Sequence, residues 1–451
     1  MGSQDTSPTR ALARWVSDSH WQDLPESVRT AGRRAWLNWM ACALGGATDP
    51  EVERLLQALQ ALAGQGSVPL LGRAERLDMA SAALVHGFAS NILDYDDTHW
   101  ATGIHPAGPV ASALVAWCSQ HPTTGQDLLH AFVLGMEAEC RIGLAVSPGH
   151  YEGGWHITAT CGVFGAAMAV GRLMRLDAAR MAWALGHAAT QASGLVASLG
   201  SAAKALNIGH AARNGLLAAL YAQQGLSACD TALEARFGFA DLMGTRGFRP
   251  EALAEPHWQV EDNCFKPYPC GFVLHPALQA CQALLDAHGV LDASAVSRIQ
   301  LQVAPLALTR ADRPQPADGM SSKLSLQHAL AAMLCTGDAG VQRFTDAALT
   351  HPAMQALRAK VQLQAEASLS THTACLTVHL HTGQTLHAEH APAPGQEHLS
   401  LDDAALEKKF RQLLAHGAPH VAAESLLSSL HSLDTWPDVR PLIDLTLKPA
   451  P

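Results

Sequence analysis

A cluster of carboxylates closes an apolar helical segment, where acidic side chains are unfavourable. Asp94, Asp96 and Asp97 lie directly after Leu93. The C-terminus of a helix carries partial negative charge, so each acid there costs about 0.3–1 kcal/mol. A specific partner or a chemical role is therefore expected to offset this cost. The alternative is that Asp97 or Thr98 caps a following turn while the other carboxylates face solvent.

Two histidines with restricted backbones are candidate acid–base groups. Pro106 biases His105 toward extended geometry, which fixes where the imidazole projects. His156 follows Trp155 at the predicted start of a helix, where positive potential should lower its pKa and leave a neutral base. Trp155 is expected to shield such a base from water. The alternatives are that His105 is an ordinary loop residue and that His156 caps the helix or packs beside Trp155.

Two lysines stand in settings that suit an anion. Lys204 lies among alanines and leucines in a predicted Gly/Ser-rich loop, and Lys266 lies in the frame Phe265-Lys266-Pro267-Tyr268-Pro269. A lysine in apolar surroundings either ionises poorly or meets an anion, unless its chain reaches the surface. We expect replacement of either lysine by alanine to weaken substrate binding and turnover with little loss of stability.

The overall composition excludes several classes of function. The 451 residues include 30 Lys+Arg and 40 Asp+Glu, giving a net charge of −10, which argues against general nucleic-acid binding. With 48% hydrophobic residues the chain has ample core for a globular protein. Residues 1–10 show no secretory signal, and Thr158–Val170 is too short to span a bilayer. Ten cysteines without a Cys-x-x-Cys pair indicate reduced thiols, so we expect a cytoplasmic protein.

Metal-ligand spacing is missing from the sequence despite its 24 histidines. Neither a His-Glu-x-x-His motif nor a zinc-type Cys/His pair occurs. His379 and His381 alternate with apolar residues, which is typical of the polar face of a strand. We therefore expect no metal.

The elements that must position these residues are mainly helical. Apolar residues recur every three or four positions in the first 250 residues. The predicted helices there are Ala80–Leu93, Pro109–Cys118, Leu128–Val146, Thr158–Met174, Ala178–Leu195 and Asn207–Gln224.

The pattern changes after about residue 267. Alternation predicts strands at Val296–Val303, Val361–Ala365, Ala374–His381 and Gln384–His390, the last two joined by a turn at Thr382-Gly383. Further helices are predicted at Phe272–His288, Ser325–Cys335, Asp402–His416 and Val421–Leu430, with Ser400 or Asp402 as an N-cap.

These elements predict a mainly α protein of two domains. A large all-helical domain occupies residues 1–266, and residues 401–451 are expected to pack back on it. A smaller α+β domain occupies residues 267–400.

The candidate residues lie in segments that together resemble the MmgE/PrpD family. This family includes 2-methylcitrate dehydratase, cis-aconitate decarboxylase and iminodisuccinate epimerase. The resembling segments keep the family order and are Leu93–His99 with His105-Pro106, Gly154-Trp155-His156, Lys204–Gly209 with Ala211–Gly215, Phe265–Cys270, and Lys323–Ala331.

The resemblance implies a homodimer that uses neither metal nor organic cofactor. It implies an active site between a helical domain and a smaller lid domain. Carried over by position, the catalytic residues are His156, His105, Asp94, Lys204 and Lys266, and Thr98 joins them in the pocket. Trp155, Tyr268 and His275 are expected to bind substrate beside them.

One position departs from a branch of the family. The decarboxylase branch has a histidine five residues after its second lysine, where this chain has Gly271, and the nearest imidazole is His275. This departure argues against decarboxylation of cis-aconitate. The segment from Gly149 to Gly165 is most similar to the epimerase branch.

The residue types suit removal of a proton beside a carboxylate. Such a step needs a base with a pKa near the working pH and cations that stabilise the enolate-like dianion. We therefore predict an enzyme acting on a small di- or tricarboxylic acid, first of all a lyase of the dehydratase type. The alternatives are an epimerase of the iminodisuccinate type and a non-catalytic carboxylate-binding relative.

Overall fold

Helices form most of the chain, so the prediction of a mainly α protein is confirmed. The computed structural model describes residues 7–61, 66–244, 247–392 and 401–449. Two compact units are present: the first comprises Met1–Ile92, Asp96–Phe265 and Ser400–Pro451, and the second comprises Leu93–Tyr95 and Lys266–Leu399. Within the described ranges, none of the helices combines the length and apolar character that a membrane crossing requires.

The first unit is a helical assembly with two short antiparallel strand pairs. Its elements before residue 266 are α1 (Pro8–Asp18), α2 (Glu26–Gly46), α3 (Pro50–Gln60), β1 (Val68–Pro69), β2 (Arg76–Leu77), α4 (Met79–Ile92), β3 (Asp97–His99), α5 (Ala107–Cys118), α6 (Gly125–Val146), α7 (Gly149–Glu152), α8 (Ile157–Leu173), α9 (Ala178–Ala189), α10 (Ala202–Gln223), α11 (Phe239–Met243) and β4 (Asn263–Phe265).

Packing in this unit centres on α8 and α10. The helix α8 packs against α5, α6 and α10, while α10 also packs against α4. Both helices are rich in alanine and glycine, which lets their backbones approach closely. Side-chain oxygens define where neighbouring helices begin, since Thr124 accepts from the Asp127 amide at α6 and Asp177 accepts from the Arg180 amide at α9.

Four predicted helix boundaries in this unit were wrong by two residues or more. The helix α6 begins at Gly125 and not at Leu128. The helix α9 ends at Ala189, because the chain then turns toward Gly194, whose φ is 139°. The helix α10 begins at Ala202 and not at Asn207. Pro109 is the third residue of α5, not its first. This position tolerates proline, because the first four amides of a helix have no intrahelical acceptor.

The second unit is built from helices and one four-stranded sheet. Its elements are α12 (His275–His288), β5 (Val296–Val303), α13 (Pro305–Ala311), α14 (Gly319–Ser322), α15 (Leu326–Thr336), α16 (Asp346–Leu349), α17 (Pro352–Arg358), β6 (Val361–Ala365), β7 (Ala374–Leu380) and β8 (Thr385–His390).

The sheet has the strand order β6-β5-β7-β8. The β5–β6 pair is parallel, and the β5–β7 and β7–β8 pairs are antiparallel. In β5, Val296, Ile299, Leu301 and Val303 are buried in the same core as residues of α12 and α15. The predicted strand positions and the turn at Gly383, whose φ is 88°, are confirmed.

The chain returns to the first unit through α18 (Asp403–Gly417), α19 (Ala423–His431) and α20 (Arg440–Asp444). Asp402 caps α18 by accepting a hydrogen bond from the Ala405 amide, whereas Ser400, the other predicted cap, lies outside the described residues. The helix α18 packs on α2, and Lys409 donates to the side-chain oxygen of Asn38 at 2.8 Å.

Candidate active site

The carboxylates of Asp96 and Asp97 are buried in the first unit, so the alternative in which the acids beside a capping residue face solvent was wrong. Their exposed fractions are 1% and 0%. Asp96 accepts from the amide nitrogen of Asn91 at 2.6 Å. Asp97 accepts from the backbone of Ala107 at 3.2 Å and from the side chain of Asn263 at 2.7 Å. Hydrogen-bond donors thus offset the cost of placing these acids after a helix.

Burial leaves Asp97 in an unusual protonation range. It raises the pKa of Asp97 to about 7, and the charge of Asp96 acts in the same direction. Glu139 on α6 is also fully buried, and burial together with Asp97 raises its pKa well above the ordinary value. In the described part of the chain, neither carboxyl oxygen of Glu139 has a hydrogen-bond partner. The unit therefore holds a buried carboxyl group whose surroundings disfavour ionisation.

Glycines on α8 create the space for Glu139. A Cβ added to Gly165 would lie 2.9 Å from Oε2 of Glu139, and one added to Gly162 would lie 3.0 Å from it. Both glycines lie inside α8, where their small size serves the packing of this helix against α6.

The imidazole of His105 is oriented by the strand that precedes it. Its Nδ1 lies 2.6 Å from the carbonyl oxygen of Asp97 and 3.1 Å from Oγ1 of Thr98. A carbonyl oxygen can only accept, so Nδ1 carries a proton and donates it. In the neutral imidazole this leaves Nε2 as the atom that can take up a proton. The backbone amide of His105 donates to Oγ1 of Thr158 at 3.1 Å, which ties this loop to the first turn of α8.

His156 stands at the N-terminus of α8, as predicted. It is buried and takes the N-cap position, but among the described residues its side chain makes no capping hydrogen bond. The capping alternative was therefore wrong. The ring of Trp155 stacks on that of His150, with ring centroids 6.2 Å apart. The positive end of α8 thus surrounds an imidazole that has no capping role.

A loop joins His156 to α10. The His156 amide donates to the carbonyl oxygen of Gly194 at 3.1 Å, and Trp155 forms a β-bridge with Leu195. A Cβ on Gly194 would lie 3.3 Å from Cβ of His156 and 3.6 Å from Cγ of Asn207. Only glycine fits this position easily, because its φ of 139° is also unfavourable for other residues. The His156 turn and α10 are therefore packed closely together.

Lys204 lies in the first turn of α10 and not in a loop, which corrects the prediction. Ser201 occupies the N-cap position and Lys204 follows three residues later. The side chain is half-buried. A lysine is unfavourable at the positive end of a helix, whereas the same end attracts anions. The helix amides and Lys204 together form a setting suited to a carboxylate.

Asp94 and Lys266 form an ion pair within the second unit. The Nζ of Lys266 lies 2.7 Å from Oδ1 of Asp94 and also donates to its carbonyl oxygen at 3.2 Å. Their exposed fractions are 9% for Asp94 and 2% for Lys266. Asp94 adopts a φ of 55°, a conformation that aspartate tolerates better than most residues. The anion that Lys266 was expected to meet is thus a side chain of the protein.

The remaining predicted residues of the second unit lie around the start of α12. His275 is its first residue and is fully buried, with its ring 5.7 Å from that of Tyr268 and 5.4 Å from that of Phe272. Gly271 donates its amide to the carbonyl oxygen of Lys323 at 2.9 Å. A Cβ on Gly271 would lie 2.5 Å from Cδ2 of Leu324. Leucine thus occupies the space beside the position where a family branch has histidine.

The predicted residues therefore divide between the two units. Thr98, His105, Trp155, His156 and Lys204 belong to the first, and Asp94, Lys266, Tyr268 and His275 belong to the second.

Four supporting contributions were missed from sequence: the carbonyl oxygen of Asp97, which holds the His105 imidazole, and the side chains of Glu139, Thr158 and Asn263. Asp97 could have been found from its place in the carboxylate cluster. Glu139 could have been suspected, because it is an acid inside an apolar helix.

Comparisons with known proteins agree with the motifs. Residues 10–251 match the MmgE/PrpD N-terminal domain and residues 268–435 match the MmgE/PrpD C-terminal domain. The chain is similar to the cis-aconitate decarboxylase of Aspergillus terreus, with 25% identity over 97% of this chain and 95% of the relative. It is 27% identical to the cis-aconitate decarboxylase of Homo sapiens over 83% of this chain and 81% of the relative. The corresponding protein of Mus musculus is 25% identical over 98% of this chain and 94% of the relative.

The two domain matches cover most of the chain and the motifs that carry the resemblance, except residues 265–267 at the start of the Phe265–Cys270 segment. The resemblance is thereby confirmed. The chain belongs to the MmgE/PrpD family and is an enzyme of its lyase or isomerase type.

Proposed function

We propose that this protein is a lyase that removes a proton from the carbon beside a carboxylate in a small di- or tricarboxylic acid. The reaction uses side chains alone, without metal or organic cofactor. Dehydration of a hydroxy acid related to 2-methylcitrate is the first candidate.

One observation carries the proposal. In the first unit, the His105 loop and the N-terminus of α8 are joined by the hydrogen bond from the His105 amide to Oγ1 of Thr158. His156 lies two residues before Thr158, and its turn packs beside α10, whose first turn contains Lys204. Two buried imidazoles and a lysine at a helix N-terminus are thus held by one set of contacts.

The roles follow from the chemistry of the step. We assign His156 as the base, since the positive end of α8 favours its neutral form. We assign His105 as the acid that protonates the leaving hydroxyl, because its imidazole is held in a fixed direction by Asp97. Lys204 and the amides of α10 bind a substrate carboxylate and stabilise the charge that develops next to it.

We also propose roles for the remaining site residues. Thr98 and Trp155 are proposed to bind substrate on the first unit. On the second unit we propose Asp94 and Lys266 as catalytic groups, with Lys266 supplying positive charge. Tyr268 and His275 are proposed as its substrate-binding residues. We also propose that the second unit acts as a lid and that the enzyme is a homodimer, and its cytoplasmic location stays a prediction.

Decarboxylation is the second candidate, because the three relatives above are named cis-aconitate decarboxylases. We place it second because Gly271 provides no imidazole, and Leu324 lies within 2.5 Å of where a Cβ would be. An inserted histidine at position 271 would have to displace Leu324. The reaction of this chain must therefore proceed without a side chain at that position.

Product analysis in D₂O tests the proposal. The purified protein is incubated separately with 2-methylcitrate, cis-aconitate and iminodisuccinate, and the products are followed by NMR together with CO₂ release. Dehydration predicts an unsaturated product from 2-methylcitrate and no CO₂. Release of CO₂ from cis-aconitate would assign decarboxylation to this protein instead of dehydration. Inversion of iminodisuccinate without loss of a group would assign epimerisation. Binding without turnover or deuterium exchange of any of the three would contradict an enzymatic function on this substrate class.

A further inference from the structure

A cavity lies in the first unit at the C-terminal end of α8. Its volume is about 400 Å³. His156 lies at the start of α8 and this cavity lies at its end. The 16 residues from His156 to Arg172 correspond to about 24 Å along the helix at a rise of 1.5 Å per residue. Its lining includes Trp117, His121, Asp127, His130, Arg172 and Arg175.

The cavity lining has two guanidinium groups, of Arg172 and Arg175, and one carboxylate, of Asp127. Arg172 donates to the carbonyl oxygen of Ser19 at 3.0 Å, but it forms no ion pair with any residue that the structure describes. Its Nε is buried and has no hydrogen-bond partner among those residues. Asp127 carries the carboxylate of the lining, and this group accepts from the hydroxyl of Thr124 at 2.9 Å. Arg172 is half-buried, and a buried Nε donor that stays unused is a costly arrangement unless an anion meets it.

A second guanidinium is placed at the same end by an unusual backbone. Arg175 has a φ of 56°, and the Leu176 amide donates to the carbonyl oxygen of Gly171 at 3.0 Å. This geometry closes the helix at a position where glycine is the usual residue. Arginine at this position therefore accepts backbone strain that glycine would avoid. Burial lowers the pKa of Arg172, Asp127 partly opposes this shift, and the like charge of Arg175 adds to it to a smaller extent.

Aromatic rings form a rigid wall beside these cations. The rings of Trp117 and His121 stack with centroids 3.5 Å apart and planes inclined by 8°. Nδ1 of His121 donates to the carbonyl oxygen of Trp117 at 2.9 Å, which holds the stack in place. Burial and, after it, the charge of Arg172 lower the pKa of His130 to about 4. The imidazole of His130 is therefore uncharged at neutral pH and adds no positive charge to the cavity.

We propose that this cavity is a binding site for a small oxyanion, a carboxylate or a phosphate, held by the guanidinium groups of Arg172 and Arg175. Planar guanidinium groups match the geometry of both anions. A role of Arg172 only as a favourable cation at a helix C-terminus would leave its buried Nε and the arginine at position 175 unexplained. The site is separate from His156 and does not depend on the proposed catalytic function.

Calorimetric titration tests the site without any need for turnover. Acetate and inorganic phosphate, neither of which is a di- or tricarboxylic acid, are titrated separately into the wild-type protein, Arg172→Gln, Arg175→Gln and the control Arg180→Gln. Arg175 and Arg180 are both exposed, so these two variants should fold normally. Arg180 lies near the start of α9 and is not part of the cavity lining.

The expected result is saturable binding of at least one anion to the wild-type protein, weakened about tenfold or more in both cavity variants and unchanged in Arg180→Gln. The anion that loses more affinity identifies the preferred class. Equal binding by Arg175→Gln and the wild-type protein would overturn the proposal. So would an equal loss in Arg180→Gln, which would indicate general charge attraction, or the absence of saturable binding of both anions.

Discussion

The Nδ1 atom of His105 lies 2.6 Å from the carbonyl oxygen of Asp97, and this contact sets the direction of the imidazole. Asp97 is the first residue of β3 and pairs with Phe265 of β4. The orientation of a proposed catalytic histidine thus depends on a strand pairing between distant parts of the chain. Since the contact uses the backbone of Asp97, the carboxyl group can be changed while the imidazole remains held.

Replacing Asp97 by asparagine should reduce the pH dependence of stability. The pKa of this carboxyl is raised from 3.8 to about 7 in the folded protein. The folded state therefore binds more protons than the unfolded state between these values, and the free energy of unfolding falls as pH rises from about 4 to 7. At about 1.4 kcal/mol per pKa unit, the decline is a few kcal/mol.

Urea unfolding at pH 5 and pH 8 measures this decline. Asp97→Asn should show a smaller difference between the two pH values than the wild-type protein, whereas the exposed-site control Asp18→Asn should keep the wild-type difference. An unchanged decline in Asp97→Asn would show that this carboxyl is ionised throughout the range.

Glutamine at position 139 should be tolerated, because Glu139 is expected to be uncharged at neutral pH. Its pKa is raised well above the ordinary value by burial and by Asp97. The unfolding free energy of Glu139→Gln at pH 7 should lie within about 1 kcal/mol of the wild-type value, as for a neutral replacement of similar volume. As pH rises further, the variant should become the more stable protein, because it has no buried acid to ionise. A loss of about 3 kcal/mol or more at pH 7 would instead indicate a charged, paired Glu139.

The two proposed substrate-binding lysines should differ in their effect on stability. Removing one partner of a buried ion pair costs about 3–5 kcal/mol, so Lys266→Ala should be strongly destabilised through the uncompensated Asp94. Lys204 is half-buried at a helix start, and Lys204→Ala should lose less than about 1 kcal/mol. The sequence-based expectation that alanine causes little loss of stability is therefore kept for Lys204 and replaced for Lys266.

Chemical unfolding of both variants, followed by circular dichroism, gives the comparison. A second variant, Lys266→Met with Asp94→Asn, should recover part of the loss, because it removes both charges together. Equal stability of Lys266→Ala and Lys204→Ala would contradict a stabilising pair between Lys266 and Asp94.

Local patterns predicted the helices and the second-unit strands well, because periodicity and turn residues are local signals. The strands Val296–Val303 and Val361–Ala365 have the predicted bounds. The pairing of β3 with β4 could not be predicted, since each strand has three residues and the partners lie far apart in sequence. The start of α10 was placed too late, because Ser201 was interpreted as part of a loop and not as an N-cap.

The residue types of the candidate site were predictable, but their partners were not. The carboxylate cluster indicated that partners must exist, and the structure identifies Asn91 for Asp96 and Asn263 for Asp97. Glu139 depends on the facing glycines of α8, a tertiary contact that helical periodicity alone does not contain.

Proton exchange at the substrate carbon tests the central claim, that His156 removes a proton beside a carboxylate. Citrate and 2-methylcitrate are incubated in D₂O with the wild-type protein, His156→Gln and the exposed control His381→Gln, and deuterium incorporation is followed by NMR. Loss of a general base typically lowers the rate about 10²–10⁴-fold. We predict exchange catalysed by the wild-type protein and by His381→Gln, and a loss of this size in a folded His156→Gln. Exchange at the wild-type rate in His156→Gln would contradict the account and assign the base elsewhere.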